Sequence, residues 1–437
     1  MKRLSSAITF FIILTVSFLI LLLSIALKTP TPTHYDNQSQ NTVATINIHL
    51  QDTTLDTILS GSKDTKYKVS SLDLTNDGTT TTFDNLEIKG RGNSTWYENK
   101  KPFQIKFKNK TDLLGLGNAH KFVLLADAFD PSHLKNSTAF YLEKILKQKN
   151  PIDSSYVNLY FDDEYYGLYL LTDKVELGMA RINLLSPTAI LVEHEGLHAH
   201  LEEKCYQTIY TPCLVVKDVK DGNPAIITSF LQKFEELEKA AEQYDYEKVK
   251  ELADLDSFAK YYLLSNFTLN PDAFMSSYYF YQDIPNGKIH VGPGWDFDLA
   301  FNSENVRGAN YGINYFSPYD TGASDLFTKE RSEYISPYGE SESLIMYYLI
   351  HMPEFQAKVR ELYNRYLYGH SDELMAYIDS TATLIRDYAV EDNTKWQFDD
   401  FDESVENLKD WIRERYDYLD SYYSNRPNIP ESQIVEL

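Results

Sequence analysis

From Thr45 to about Tyr210 apolar and polar positions alternate in short runs, the period of strands with one face buried. TINIHL, starting at Thr45, is one such run. Along Phe103 to Lys108, Phe103, Ile105 and Phe107 share one face, while Gln104, Lys106 and Lys108 share the other. Ser132 to Lys147 changes to helical spacing, and Ser132, following Pro131, is the expected N-cap. VNLYFDDEYYGLYLLTDKV predicts a hairpin that turns at Asp162-Asp163-Glu164, with Gly167 early in the return strand. Asn223 to Phe267 reads as helix. SSYYFYQD and KIHVGPGWDFDLAF then predict a strand pair, divided by Ile284-Pro285-Asn286-Gly287. The helical period returns from about Ser341 to Tyr423. A β-rich half followed by a helix-rich half is the order of an α+β protein with two lobes. The expected boundaries are 1–28, 29–44, 45–222 and 223–437.

The amino end differs from the rest. Ala7 to Leu27 is a run of 21 residues without a charge, preceded by Lys2 and Arg3. About 20 apolar residues span a bilayer as a helix, and the positive flank stays inside. The expectation is a transmembrane signal anchor over 1–28, with the main domain extracytoplasmic. Secretion after cleavage near Ser24-Ile25-Ala26 is the alternative. Residues 29–44 read as a linker. Export gives meaning to Cys205 and Cys213, the two cysteines of the chain, which in an oxidising compartment would close a local loop as a disulfide.

Composition narrows the class. The 437 residues are 43% hydrophobic and 24% charged, which suits a globular chain of two or three packed units. A formal net charge of −23 argues against nucleic acid as a partner. Two cysteines cannot build a four-cysteine zinc site. The 34 tyrosines include a series at Tyr347, Tyr348, Tyr363, Tyr366, Tyr368 and Tyr377, which helical spacing explains as a packing face.

Three segments carry candidate chemistry. In GPGWDFDLAF, a strand would put Asp296 and Asp298 on one face, a donor pair for a hard cation such as Mg²⁺. Trp295, Phe297, Leu299 and Phe301 would pack on the other. Asp272 follows Asn270-Pro271 between a helix and the strand pair, where a loop acid can serve as base. In IKGRGNSTW, glycines flank Arg91, so freed backbone amides and a guanidinium could cradle phosphate through Arg91, Gly92, Asn93 and Ser94. Lys100, Lys101 and Lys106 follow, and Lys106 stands in the order in which a nucleotide-binding lobe supplies its phosphate lysine.

Five blocks in order, KGRGNSTW, KKPFQIKF, LLGLGNAHKFVLLADAFDPSHLKNSTAF, VNLYFDDEYYGLYLLTDKVE and GPGWDFDLAFN, resemble the spore-coat protein H (CotH) kinase family. The likeness runs from about Ile88 to Asn302. It implies an atypical protein-kinase-like fold with an ATP site between a β-rich N-terminal lobe and a helical C-terminal lobe. It implies transfer of the γ-phosphoryl group of ATP to Ser or Thr of an envelope or coat protein. Asp272 would then orient the acceptor hydroxyl, and Asp296 with Asp298 would hold Mg²⁺ or Mn²⁺. Lys106, or else Lys101, would contact the phosphates under the Arg91–Ser94 turn. Asn136 falls in the LKN of the helix block, and Leu170 to Glu176 would join the lobes. A pseudokinase that binds and assembles envelope proteins is the alternative. A glycosidase using paired carboxylates and aromatic platforms is a third reading, which leaves the glycine turn and the lysines unexplained.

Overall fold

The computed structural model describes residues 42–184, 186–219, 222–301, 335–336, 339–340 and 343–424. The apolar run at 7–27 and most of the 29–44 linker lie outside them. No helix among the described residues is long and apolar enough to cross a membrane.

The architecture is α+β. Seven strands form a closed barrel: β1 (Ala44–Leu50), β2 (Tyr67–Asn76), β3 (Thr79–Gly90), β4 (Phe103–Thr111), β5 (Ala119–Leu125), β6 (Ser154–Phe161) and β7 (Glu164–Asp173). Their order around the barrel is β1-β2-β3-β4-β5-β7-β6. Neighbours are antiparallel except at the closure, where β6 runs parallel to β1 and Ala44 faces Val157. Closure leaves no open edge, and the alternation seen in the sequence fills the interior. Ile46, Ile48, Leu72, Ile88, Ile105 and Phe122 are buried there. The β6–β7 hairpin turns at Asp162 and Asp163, with φ of 48° and 68°. Two positive φ values match the twist of the flanking strands.

A second sheet has the order β11-β10-β8-β9. It combines β8 (Ile190–His194) and β9 (Leu214–Val219) with β10 (Tyr278–Gln282) and β11 (His290–Val291). Cys205 and Cys213 are joined by a disulfide in the loop that enters β9. The described helices are α1 (Leu55–Ser60), α2 (Lys135–Ile145), α3 (Pro224–Glu242), α4 (Tyr246–Leu252), α5 (Leu255–Thr268), α6 (Ile345–Ile350), α7 (Pro353–Tyr366), α8 (Ser371–Trp396) and α9 (Phe401–Ser424). α1 packs on the barrel core through Ile58; the other helices share one apolar core with the second sheet. Most of the tyrosine series packs: Tyr363 and Tyr377 are buried, Tyr347, Tyr348 and Tyr366 lie against the core, and Tyr141 stacks on Tyr377 at 4.0 Å, whereas Tyr368 is exposed.

Two local expectations change. The helix over 132–147 begins three residues later, because Asp130 rather than Ser132 organises its start. The Asp130 carboxylate accepts from the backbone N–H of Ser132 at 3.0 Å and of Lys135 at 2.8 Å. The strand expected through GPGWDFDLAF ends at Val291. Gly292 follows at φ +111°, where a Cβ would lie 2.6 Å from Gln148 Nε2. Pro293 cannot donate to a ladder. The two aspartates therefore ride on irregular backbone and a turn.

Candidate active site

α5 is buried on nearly every side and delivers the first acid. It ends on Leu269 at φ 44°, and the chain turns at once through Asn270-Pro271-Asp272. The Asn270 side chain ties that turn to the GPGWDFD segment. Its Oδ1 accepts from Asp272 N–H at 3.2 Å, and its Nδ2 donates to the Asp296 carbonyl at 2.9 Å. α2 holds the same segment from the other side. Asn136 Oδ1 accepts from Phe297 N–H at 2.9 Å, and its Nδ2 donates to Asp127 Oδ1 at 3.0 Å. Glu143 accepts from Gly294 N–H at 2.7 Å. Held this way, Asp296 adopts φ 69°, an uncommon conformation for a residue with a Cβ.

Asp272, Asp296 and Asp298 line one cleft of about 260 Å³ together with Asp127 and Asn136. Arg91, Gly92, Asn93 and Ser94 line the same cleft. Gly92 sits at φ +80°, and a Cβ there would meet Thr95 Oγ1 at 2.1 Å, so the turn requires glycine. Arg91 lies over the Trp295 ring at 5.0 Å, and its buried Nη1 has no hydrogen-bond partner. Lys63 braces the turn by donating to Gly92 O at 2.9 Å and to Asn93 Oδ1.

The charges are arranged for a ligand carrying both signs. Burial raises the pKa of Asp298 well above its ordinary value, and Asp296, Asp272 and Asp127 raise it further. Burial also raises Asp296, against the pull of Arg91. Asp127 is pushed up to about 8 by burial and by Asp130, and its Oδ2 is buried without a partner. A cation would relieve this repulsion, and the unpartnered Nη1 of Arg91 suits an anion. Among the described residues no three His, Cys, Asp or Glu side chains stand within reach of one ion. Mg²⁺ commonly takes only one or two carboxylates and completes its shell with water and phosphate oxygens, so the residues fit a Mg²⁺–polyphosphate.

The two lysines expected at the phosphates are not in the cleft. Lys106 shares its face of β4 with Gln104, which does line it, but lies two residues on, roughly 6–7 Å along the strand. It pairs across to Lys121, is exposed, and borders a separate cavity on the barrel's outer side. Lys101 Nζ is spent on Trp96 O and Glu98 O, the latter at 3.1 Å. The cleft instead contains Lys89, Lys174 and Lys217 beside Lys63. Lys89 and Lys217 are paired with Asp64 and Glu193, at 3.0 and 2.6 Å. Lys174 is 3.8 Å from Glu176, and burial lowers its pKa to about 8. Sequence reasoning also missed Glu193, Glu195 and His198. Glu195 accepts from Ser276 Oγ at 2.6 Å and from His198 N–H at 3.0 Å. Burial opposes the charge on His198, but Glu195, Asp272 and Asp296 outweigh it and raise the pKa. The only sequence signal was the density of acids and histidines in EHEGLHAH.

Glu143 makes a separate prediction. Burial raises its pKa to about 8, against 4.5 for a free glutamate. A carboxyl raised on folding stabilises fully below its unfolded pKa, and that contribution is lost as pH rises through the folded value. Wild-type stability should therefore fall between pH 5 and 8. Glu143→Gln should flatten that fall by up to about 1.4 kcal/mol per pH unit, leaving the shares from the other raised carboxyls, Asp127, Asp296 and Asp298 among them. Denaturation midpoints across this range test it; parallel profiles would contradict the assignment.

A search of curated proteins finds no match to the chain. The family model described as CotH kinase protein matches residues 88–419, so the likeness extends past the motif blocks and through the C-terminal helices. That match covers most of the sequence, and on it the chain belongs to the CotH kinase family.

Proposed function

We propose that the protein is an atypical protein kinase that transfers the γ-phosphoryl group of ATP to Ser or Thr of an envelope or coat protein. One observation carries this reading: the Asn270 side chain bonds both the Asp272 turn and the Asp296 backbone, facing the Arg91–Ser94 turn across a shared cleft. Phosphoryl transfer demands mainly positioning and charge neutralisation, which such a cleft supplies. In the kinase-like reading the barrel serves as the N-terminal lobe and the second sheet with its helices as the C-terminal lobe. Arg91 and the backbone of Gly92 and Asn93 bind the phosphates. Asp272 accepts a hydrogen bond from the acceptor hydroxyl and takes its proton. Asp296 and Asp298 would hold Mg²⁺, which would neutralise phosphate charge. The Cys205–Cys213 bond supports an extracytoplasmic location for the domain, anchored by residues 1–28.

The test is transfer from labelled ATP with Mg²⁺ or Mn²⁺ to a Ser-rich protein acceptor. Transfer by wild type that persists undiminished in Asp272→Ala would overturn the assignment. Capture of envelope partners with no transfer would instead favour an assembly protein.

Lys174 takes the phosphate role first expected of Lys106. A charge-assisted hydrogen bond is worth about 1.5–3 kcal/mol, so Lys174→Met should weaken Mg-ATP binding about tenfold or more. Lys106→Met should change it less than about twofold, because an exposed lysine outside the cleft contributes little. Calorimetric titration of both variants decides between them.

A further inference from the structure

A second cavity of about 850 Å³ opens beside the cleft. The two share Lys63, Asp64, Asn93, Glu202 and Lys217 as common walls, so one runs into the other. One side of this groove is the turn after β3, with Trp96 and Tyr97; the other is β9 with Leu201 and Tyr206. Tyr97 is 84% exposed and Leu201 53%, so the groove presents two large apolar side chains to solvent. Its charges balance: Lys63, Lys204 and Lys217 against Asp64, Glu202 and Glu203. Net charge therefore gives the groove no preference, and its apolar groups are left to select.

β9 is the edge strand of the second sheet. Among the described residues its outer side is bridged only at Leu214, which exchanges both backbone hydrogen bonds with Tyr206 at 2.8 and 2.9 Å. Beyond that bridge no described strand pairs with it. Val216, two residues on and facing the same way, lines the groove. An open edge beside apolar side chains is the arrangement that receives an added strand.

We infer that this groove docks the acceptor polypeptide, in extended form along the free edge of β9, with an apolar side chain of the acceptor seated against Tyr97 and Leu201. The inference deepens the kinase reading and rests on it, because the shared walls lead the bound segment toward Asp272. A backbone ladder gives affinity without regard to sequence, and the apolar seat fixes the distance from the anchoring residue to the phosphorylated hydroxyl.

The test separates docking from chemistry. Fluorescein-labelled decapeptides of Gly, Ser and Thr, each with one Trp, Lys or Glu at varied distance from a single Ser, are titrated by anisotropy into full-length Asp272→Asn protein. Trp at one spacing should bind at least tenfold tighter than Lys or Glu there. Adding Tyr97→Ser or Leu201→Ser should reduce that preference below threefold while Mg-ATP binding is unchanged. N-methylation of the peptide backbone should weaken binding at alternate positions. Equal binding of the three peptide classes, or a Trp preference that survives both substitutions, overturns the inference. A Trp preference lost on Tyr97→Ser, with no phosphate transfer by wild type, supports the groove and refutes the kinase reading instead.

Discussion

Asp296→Asn is expected to lower phosphoryl transfer by about 10³-fold with the fold retained, the scale on which loss of one preorganised electrostatic group acts at a reacting centre. The substitution keeps size and hydrogen-bonding shape but removes a charge. The loss should fall on metal-dependent nucleotide binding as well as on turnover. Asp296 is held at φ 69° with its backbone bonded to Asn270, so its conformation is fixed by neighbours that the substitution leaves intact. Asp272→Asn differs in kind. It should cost about 10²–10⁴-fold in turnover, the range of a lost general base, with little change in Mg-ATP affinity. Mg-ATP titration beside single-turnover transfer separates the two. Tight Mg-ATP binding by Asp296→Asn would remove its metal role.

The second large effect lies away from the cleft. Asp392→Ala is expected to destabilise the protein by about 3–5 kcal/mol, because it strands a buried ammonium. Lys100 and Asp392 are both fully buried and pair at 2.7 Å. Lys100 Nζ also donates to Leu168 O at 2.6 Å, and Asp392 Oδ1 accepts from Leu168 N–H at 2.8 Å. The network pins α8 to β7, and it is why Gly167 is glycine: a Cβ there would lie 2.5 Å from Asp392 Oδ1. Replacing both partners with apolar residues, Lys100→Met with Asp392→Leu, should cost far less than Asp392→Ala, since no charge is left without a partner. Urea denaturation of the single and double variants measures the difference. A single variant within about 1 kcal/mol of wild type would show that the pair is not structurally required.

What could be read in advance divides along physical lines. The strands of the barrel were legible because period-two burial is written into TINIHL and FQIKF, and the Asp162-Asp163 turn because short acidic pairs tolerate positive φ. The end of β11 was not, since apolar flanks mimicked a strand where Gly292 and Pro293 stop one. That the three aspartates and the glycine turn line one cleft follows the expectation from residue type and local order. Which lysines line it was not legible. Lys106 and Lys174 look alike in sequence, and only the folded barrel, with the chain leaving β7 at the cleft rim, brings Lys174 to the cleft and leaves Lys106 outside. Asp127, Glu195 and His198 were equally hidden, because their meaning comes from neighbours far along the chain.

The sequence by itself determined the α+β order, the family, and which acids to suspect, because periodicity and motif are local properties of a chain. Only the tertiary structure decided which side chains share the cleft, that Lys100 belongs to a buried pair with Asp392, and that no described strand pairs with β9 beyond its bridge at Leu214. Those are contacts between segments tens to hundreds of residues apart, and no local pattern encodes a distance across a fold.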